Sequence, residues 1–534
     1  MKHWRWLWWL RAAQWHAVLA VALVGWAAFE CFGPVRGQGI ASATYDLMQR
    51  HRLWASEPDP RLLIVEVDER SLADLSTEFG RWPWSRDTLA TVLQHAQAQG
   101  AAAVVFDILF SDPDRLRPGG DRALDAAVRA GSPGYFEAVR LPAKNDALSE
   151  LTLDRVPGLG VPPAGAAASA AVSDSSSAPK IALILPFMQS MLDTGRIGTN
   201  TVQLDADGKL RRFAWAELLQ GWRVASMPMA VARSAGVPVE ASGAAQLIVW
   251  RRHAEAYPRV SFSQALACAE RPGPSARAPG CVSLAGRVVI VGVTASSLHD
   301  IMSSPLQANH AGVDILATLI DNALHQRGYA EISARLRFAL ALGALAIAWQ
   351  ATRRRAASAT QVALIVLPVG LVALGYASLH SERLYLDLML PAGIALTFLS
   401  LVKLLDTVRR HVFGLRQVPE AGRHALATGS AARCAEQLER QVFDLAGRHG
   451  LAVSGGVHTA GAWGDGDSGW VLWNIDAASA AALGAVLCRA IPGAWAVPFA
   501  VCSDPQRALH ATLAMPTAGS TMHDSQGDDD HASA

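Results

Sequence analysis

Four apolar segments constrain this chain more than any other feature. The first covers residues 17–29 and follows Lys2, Arg5 and Arg11; the others lie late, at 336–349, 362–379 and 384–405. A hydrocarbon layer of about 30 Å takes about 20 helical residues, so runs of this length read as membrane spans. Residues 362–379 hold 18 positions without a charge. Arginines mark the sides. Arg353, Arg354 and Arg355 fill the loop between the second and third segments, and Arg409 and Arg410 follow the fourth. The loop 381–383 carries one acid and one base. Positive residues stay on the cytoplasmic side, which gives one consistent path.

That path predicts a cytoplasmic N-terminus over 1–14 and spans at 15–33, 335–352, 361–380 and 384–405. It exports residues 34–333 and returns a small cytoplasmic α+β domain over 411–515, ending in an acidic, disordered tail over 516–534. Trp4, Trp6, Trp8, Trp9 and Trp15 resemble an interfacial aromatic belt, which favours a retained anchor over a cleaved signal peptide. Buried soluble helices are the competing reading of the set. Mean hydropathy is +0.20 with only 17% charged residues, which excludes a disordered or coiled-coil chain. A net charge of +1 offers no basic surface for nucleic acid. Lysine occurs at only five positions, a usage typical of GC-rich bacteria. The expected location is the bacterial inner (cytoplasmic) membrane, multi-pass, with the large domain in the periplasm. Asp387 lies near enough to an interface to be solvated.

The exported part alternates strand and helix. Residues 61–68 form an apolar run ending in acid, as in strands covered on both faces. Ser85 is placed to cap a helix over 88–99, which Gly100 stops. Residues 101–109 read as the next strand and 286–293 as another, with a loop over 294–300 and a helix over 312–325. The fold class is an α/β domain with a mostly parallel sheet. In residues 162–179, 16 of 18 positions are Ala, Ser, Pro or Gly. Such a stretch cannot bury enough apolar surface to fold, so a disordered insertion is expected over about 142–179.

Acids gather where the strands end. Asp68, Asp107, Asp112, Asp114 and Asp300 fall at or after strand ends, where open α/β sheets bind ligands. Arg86 opens the helix between the first two strands and offers a counter-charge. If Asp68, Arg86 and Asp107 form a ligand site, they must converge. Capping, turn and ion-pair chemistry is the alternative for all six residues. Trp82, Pro83 and Trp84 read as an aromatic ligand wall or as a packing wedge. His299 beside Asp300 is a proton-sensing pair or a lone exposed histidine. Cys268 and Cys281 lie in the exported part, where disulfides persist, and are candidates for a bridge. Gly464–Gly469 lacks the ligand and glycine positions of a calcium-binding loop. No metal ligand set, cofactor motif or catalytic group emerges.

Several spaced motifs resemble a known family. These are Val67-Asp68-Glu69-Arg70-Ser71-Leu72, Gly80-Arg81-Trp82-Pro83-Trp84-Ser85-Arg86, and Val105 to Asp114. With them go Asp205-Ala-Asp207-Gly208-Lys209-Leu210-Arg211-Arg212, the strand and loop over 286–300, and Gly312 to Ala317. Their order over residues 40–330 is similar to that of the type-two CHASE domain, an extracellular sensor associated with cyclases and histidine kinases. The resemblance implies three spans after the sensor and a signalling role with an extracytoplasmic ligand. It also implies an enzymatic last part, and there the chain departs. Residues 411–534 hold no kinase signature, glycine-rich nucleotide loop or paired-aspartate cyclase strand.

The region 411–515 reads as a helix over 429–449, strands over 451–457 and 470–475, a helix over 477–490, a strand over 496–502 and a helix over 505–513. The expectation is a non-enzymatic membrane sensor, homo-oligomeric, with a cytoplasmic signalling partner. A divergent nucleotide cyclase and a structural envelope protein binding a periplasmic partner are the alternatives.

Overall fold

The computed structural model describes residues 12–33, 39–162, 178–238, 244–271, 280–298, 300–353, 357–414, 424–430, 435–449, 451–458, 468–491 and 494–500. The chain divides into two compact units, one of Gly37–Ser333 with Leu374–Asp387, the other of Met1–Arg36, Ala334–Ala373 and Leu388–Ala534.

The first unit is built on a seven-stranded sheet. From one edge the strands run Arg259–Ser261, Leu62–Val67, Val288–Val293, Ala103–Phe106 and Gly134–Arg140. Leu183–Ile184 and Ile197–Thr199 both pair with the last of these. Every pairing is parallel except that of Leu183–Ile184. The central strands are continuous apolar runs because both faces are covered. Leu63, Val65, Val104, Phe106, Val289 and Val291 pack on the helices Arg86–Ala98, Pro118–Arg129 and Phe262–Ala269. Leu62, Ile64, Val105, Val288 and Ile290 pack on the helices Met227–Ser234 and Gly312–Leu324.

The strands that end near Asp68 and Asp107 lie close together but not side by side, because Val288–Val293 sits between them and pairs with both. That pairing spans most of the domain's sequence, which local pattern cannot reveal. The disordered insertion does not begin near 142. Ala143–Leu148 and Leu153–Arg155 are 3-10 turns, and Gly160–Val161 pairs with Trp222–Ala225. Leu153, Val156 and Leu159 are buried in the core, and Asp146 accepts two hydrogen bonds from Arg140, so this stretch has enough contacts to fold. Residues 163–177 lie outside the described residues.

The second unit contains four apolar helices, Ala12–Phe32, Ala334–Arg353, Ala357–Ser378 (as far as Ala373) and Met389–Gly414. Trp15–Phe32 and Thr360–Ser381 are long and apolar enough to cross a membrane; Met389–Leu405 is a shorter apolar stretch. Small Ala27, Ala341 and Ala348 are buried with Leu345, Phe398 and Leu399, while Val21, Phe29, Ile347, Ile365, Val366 and Leu404 are exposed. The fourth helix starts later than the expected 384, because Leu384–Tyr385 pairs as a strand with Ala330–Glu331. Asp387, expected to be solvated, is buried there.

The C-terminal part is a strand–helix–strand–strand–helix–strand arrangement with an antiparallel sheet. Its strands lie in the order Ala452–His458, Ser468–Ile475, His424–Ser430, Ala494–Ala500. Helices Ala435–His449 and Ala477–Ala490 supply Leu438, Val442, Leu445, Ala480 and Leu487 to a core with Leu426 and Leu472. The helix expected from 429 begins at Ala435, since Gly429 and Ser430 end a strand. The expected helix over 505–513 and the tail over 516–534 lie outside the described residues.

Candidate functional site

The structure divides the six predicted residues into three places. Asp68 caps the helix Glu69–Asp74: its Oδ1 accepts from the Ser71 backbone N–H at 2.8 Å, the Ser71 hydroxyl at 2.6 Å and the Ser261 hydroxyl at 2.7 Å. Those bonds hold its carboxyl below the usual range against the opposing effect of burial. Arg86 turns elsewhere. It donates to Asp121 and to the Asp112 carbonyl, both at 2.6 Å, and lies over the rings of Phe110 and Phe187. Asp112 accepts from the Ser111 hydroxyl, and Asp114 accepts from Arg117 and from the Leu116 backbone. These are turn and cap interactions. Trp84 is buried, stacked on Phe262 and edge-on to Trp82, with its indole N–H donating to the Gly80 carbonyl. The Trp82–Pro83 peptide is cis. Cys268 and Cys281 are joined by a disulfide with Cα atoms 5.9 Å apart. His299 lies outside the described residues.

Asp107 and Asp300 share one cleft. Strand register puts Val104 beside Gly134 and Val105 beside Tyr135. Two residues further, the same register sets Asp107 beside Glu137, which in turn pairs with Gly198. On the other side, Val291 pairs with Phe106, so Gly292 follows beside Asp107. Gly292, Asp107, Glu137 and Gly198 therefore lie abreast at the carboxyl end of the sheet. Both glycines serve close approach. A Cβ on Gly292 would meet Val313 Cγ2 at 2.7 Å, and one on Gly198 would meet Met227 Cα at 2.4 Å. Two helix N-termini thus close onto the sheet on either side of the acids.

Asp300 enters from the loop before Ile301 and lies against the start of the helix Gly312–Leu324. Its backbone carbonyl accepts from the Gly312 N–H at 3.1 Å, and a Cβ at Gly312 would stand 2.6 Å from its Oδ2. Asp107 Oδ1 accepts from the Asn200 side chain at 2.8 Å, while its Oδ2 is enclosed and has no hydrogen-bond partner. Asn200, Val202, Met302, Gly312, Ile315 and Leu316 complete the lining around a space of about 30 Å³. A single water needs roughly 10–15 Å³ on this measure, so the cleft has room for one or two waters.

Crowded acids shape its electrostatics. Burial first, then the charges of Glu137 and Asp300, push the Asp107 carboxyl well up, against the Asn200 hydrogen bond. Burial and then Asp300 raise Glu137 to about 7, and burial raises Asp300. All three carboxyls therefore hold a proton more readily than a free carboxylate does. Asp59, Asp321 and His325 also lie close enough together to hold a metal. Arginines already meet their charge, however: Arg61 donates twice to Asp59 Oδ2 and Arg251 pairs with Asp321 at 2.9 Å.

Sequence reasoning missed Glu137 and Asn200, which stand in unremarkable stretches and are recognisable only through their strand register with Asp107. It also missed what the 205–212 motif does. Arg211 is buried and donates to Asp46, Asp205 and Asp207, fastening the helix Gly39–Arg50 to the domain. Glu382, in the segment between two apolar helices, accepts from Arg52 and Ser56 and pairs with Arg327.

A family model described as the CHASE2 domain matches residues 16–351. No curated protein and no solved structure matches the chain. The matched span takes in the α/β domain with its Asp68 cap, the Asp107–Asp300 cleft and the Arg211 fastening. It covers more than half of the 534 residues, and the chain belongs to the CHASE2 family, extracellular sensor domains of signalling proteins.

Proposed function

We propose that the chain is a bacterial inner-membrane sensor with four transmembrane helices, a periplasmic CHASE2 domain and a cytoplasmic C-terminal domain that signals by binding a partner. The observation that carries this reading is the inclusion of Leu374–Asp387 in the same compact unit as Gly37–Ser333. A segment folded into the sensor lies on the sensor's side of the membrane. The helix Ala334–Arg353 then leaves that side, Ala357–Ser378 returns to it and Met389–Gly414 leaves again. Arg353, Arg354, Arg355 and the C-terminus fall opposite the sensor, in agreement with the charge rule. Glu382 and the Ala330–Leu384 strand pair give the sensor a mechanical hold on the turn between the last two helices.

For the output, partner binding is favoured over catalysis because residues 411–534 carry no nucleotide-site motif. The strand–helix arrangement of the C-terminal part serves many unrelated functions and names no reaction. A reporter fused near Gly120 is expected to be exported and one fused after Leu405 to be cytoplasmic. The reverse result at either site would overturn the path. Membranes carrying the full chain, given ATP or GTP with Mg²⁺, are expected to form no cyclic nucleotide. Product that disappears on truncation after Gly414 would replace the partner-binding output with a cyclase.

A further inference from the structure

Single exposed leucines, such as Leu116 and Leu148, are ordinary on a protein surface. Leu53 and Trp54 are of another kind. They are adjacent, 66% and 50% exposed, and stand in the loop that joins the helix Gly39–Arg50 to the strand Leu62–Val67. The residue before them is turned the other way. Arg52 is buried: its guanidinium donates to the Tyr329 hydroxyl at 2.7 Å, pairs with Glu382 and donates from Nε to the Trp54 carbonyl. A loop facing water shows its arginine and hides its indole. Here the charge is held inside and the apolar pair is held out.

The same loop is fastened to an apolar helix. The Tyr376 hydroxyl accepts from the Leu53 backbone N–H at 3.0 Å and donates to the His51 carbonyl at 2.8 Å. The Trp54 ring lies 5.9 Å from that of Tyr376 and 5.7 Å from that of His380. Both partners belong to Thr360–Ser381, which is long and apolar enough to cross a membrane. Tyr376 comes before the end of that stretch at Ser381 by about 8 Å, at helical rises of 1.5–2 Å per residue. Its bonds therefore set Leu53 and Trp54 beside the last turns of the stretch, not beyond them. A bilayer of about 40–45 Å has a hydrocarbon core of about 30 Å, which leaves a headgroup layer of about 5–7 Å on each side. Side chains held at that depth meet the boundary between headgroups and acyl chains, where the amphipathic rings of Trp and Tyr are enriched.

From this arrangement we infer that Leu53 and Trp54 insert into the lipid interface on the sensor's side of the membrane. The inference rests on the reading of Thr360–Ser381 as a span and adds to it a lipid contact made by the exported domain itself. Arg52 gives that contact a route inward, since the residue that orients the loop also holds Glu382 in the turn between the last two apolar helices.

The test uses the full chain in nanodiscs of phosphatidylethanolamine and phosphatidylglycerol. Cys31 is replaced by alanine and Cys434, Cys488 and Cys502 by serine, and the Cys268–Cys281 bridge is kept. A nitroxide is attached through Leu53→Cys or, separately, Trp54→Cys. Its collisions with oxygen, which concentrates in lipid, and with a nickel chelate, which stays in water, are read by EPR. Val369→Cys, exposed near the middle of the apolar stretch, is the lipid reference. Leu116→Cys, in the loop before the helix Pro118–Arg129, is the water reference. The oxygen-to-nickel ratio at positions 53 and 54 is expected to be several-fold above that at 116 and below that at 369. Ratios at 53 and 54 equal to that at 116, with 369 in lipid, would overturn the insertion and leave the span standing. Few collisions with either reagent at 53 and 54 would also overturn it, because a protein surface, from a second copy or another chain, then covers the pair. A ratio at 369 equal to that at 116 would remove the span, and the insertion with it.

Discussion

Arg211→Ala should be among the most damaging single substitutions in the exported unit. The guanidinium is 2% exposed and spends its donors on three carboxylates. It bonds Asp46 at 2.7 and 2.9 Å, Asp205 at 2.9 Å and Asp207 at 2.8 and 2.6 Å. Removing it leaves Asp46 buried with Lys209 as its remaining ion-pair partner, at 2.7 Å. Stripping one partner from a buried pair costs about 3–5 kcal/mol, a large fraction of the 5–15 kcal/mol that typically separates folded from unfolded domains. Most of that cost is the stranded Asp46 charge. Asp46→Asn added to Arg211→Ala should therefore recover at least about 1 kcal/mol, although Asp46→Asn alone destabilises. Arg211→Lys keeps the charge but loses the fork that reaches three acids, and should recover less than half of the loss. Urea unfolding of the full chain in detergent, read from the fluorescence of buried Trp215 and Trp250 among the other tryptophans, gives the midpoints. An Arg211→Ala midpoint shift worth under about 1 kcal/mol, or no recovery from Asp46→Asn, would refute this reasoning.

His310 is buried, its ring bonded to Ser304 Oγ at 2.9 Å and to the Ala254 carbonyl at 3.3 Å, and burial lowers its pKa to about 4. The unfolded chain protonates near 6.5, so its stabilising share is complete above that pH. It falls as pH drops toward 4, by roughly 3 kcal/mol, and His310→Gln should flatten an acid unfolding titration over that window. Gly198→Ala places a Cβ 2.4 Å from Met227 Cα, a backbone clash that should cost about 1–3 kcal/mol or more and appear as a lowered Tm. Reducing the Cys268–Cys281 bridge, or replacing both cysteines with serine, should cost about 3 kcal/mol on the loop-entropy account, measured as a shift in urea midpoint.

The central strands were legible because each is an unbroken apolar run, and the helix read over 88–99 is found at Arg86–Ala98 for the same reason of period. Asp68 was legible as a strand-end acid, yet its choice between ligand and cap depended on Ser71 and on Ser261, which is far off in sequence. The cleft was half legible. Asp107 and Asp300 stood out as acids after strands, but their meeting requires Val288–Val293 to insert between the first two strands and Gly292 to admit Val313. Such pairing is set by tertiary packing, not by local propensity. Glu137 sits within a buried strand where an acid has no local signature. Leu384–Tyr385 was absorbed into the fourth apolar segment because two apolar residues joining a strand look the same as two residues starting a helix.

The central claim is that the turn between the last two apolar helices is folded into the sensor, on the sensor's side of the membrane. A cysteine pair tests it directly. Ala330 and Leu384 are exposed and directly paired on neighbouring parallel strands, a spacing that fits the 4.4–6.8 Å Cα separation a disulfide requires. In intact cells, Ala330→Cys with Leu384→Cys should cross-link under mild oxidation, as mass spectrometry of the joined peptides would show, while neither single variant does. A folded, membrane-inserted double variant that stays reduced in cells and cross-links only after detergent extraction would contradict the account.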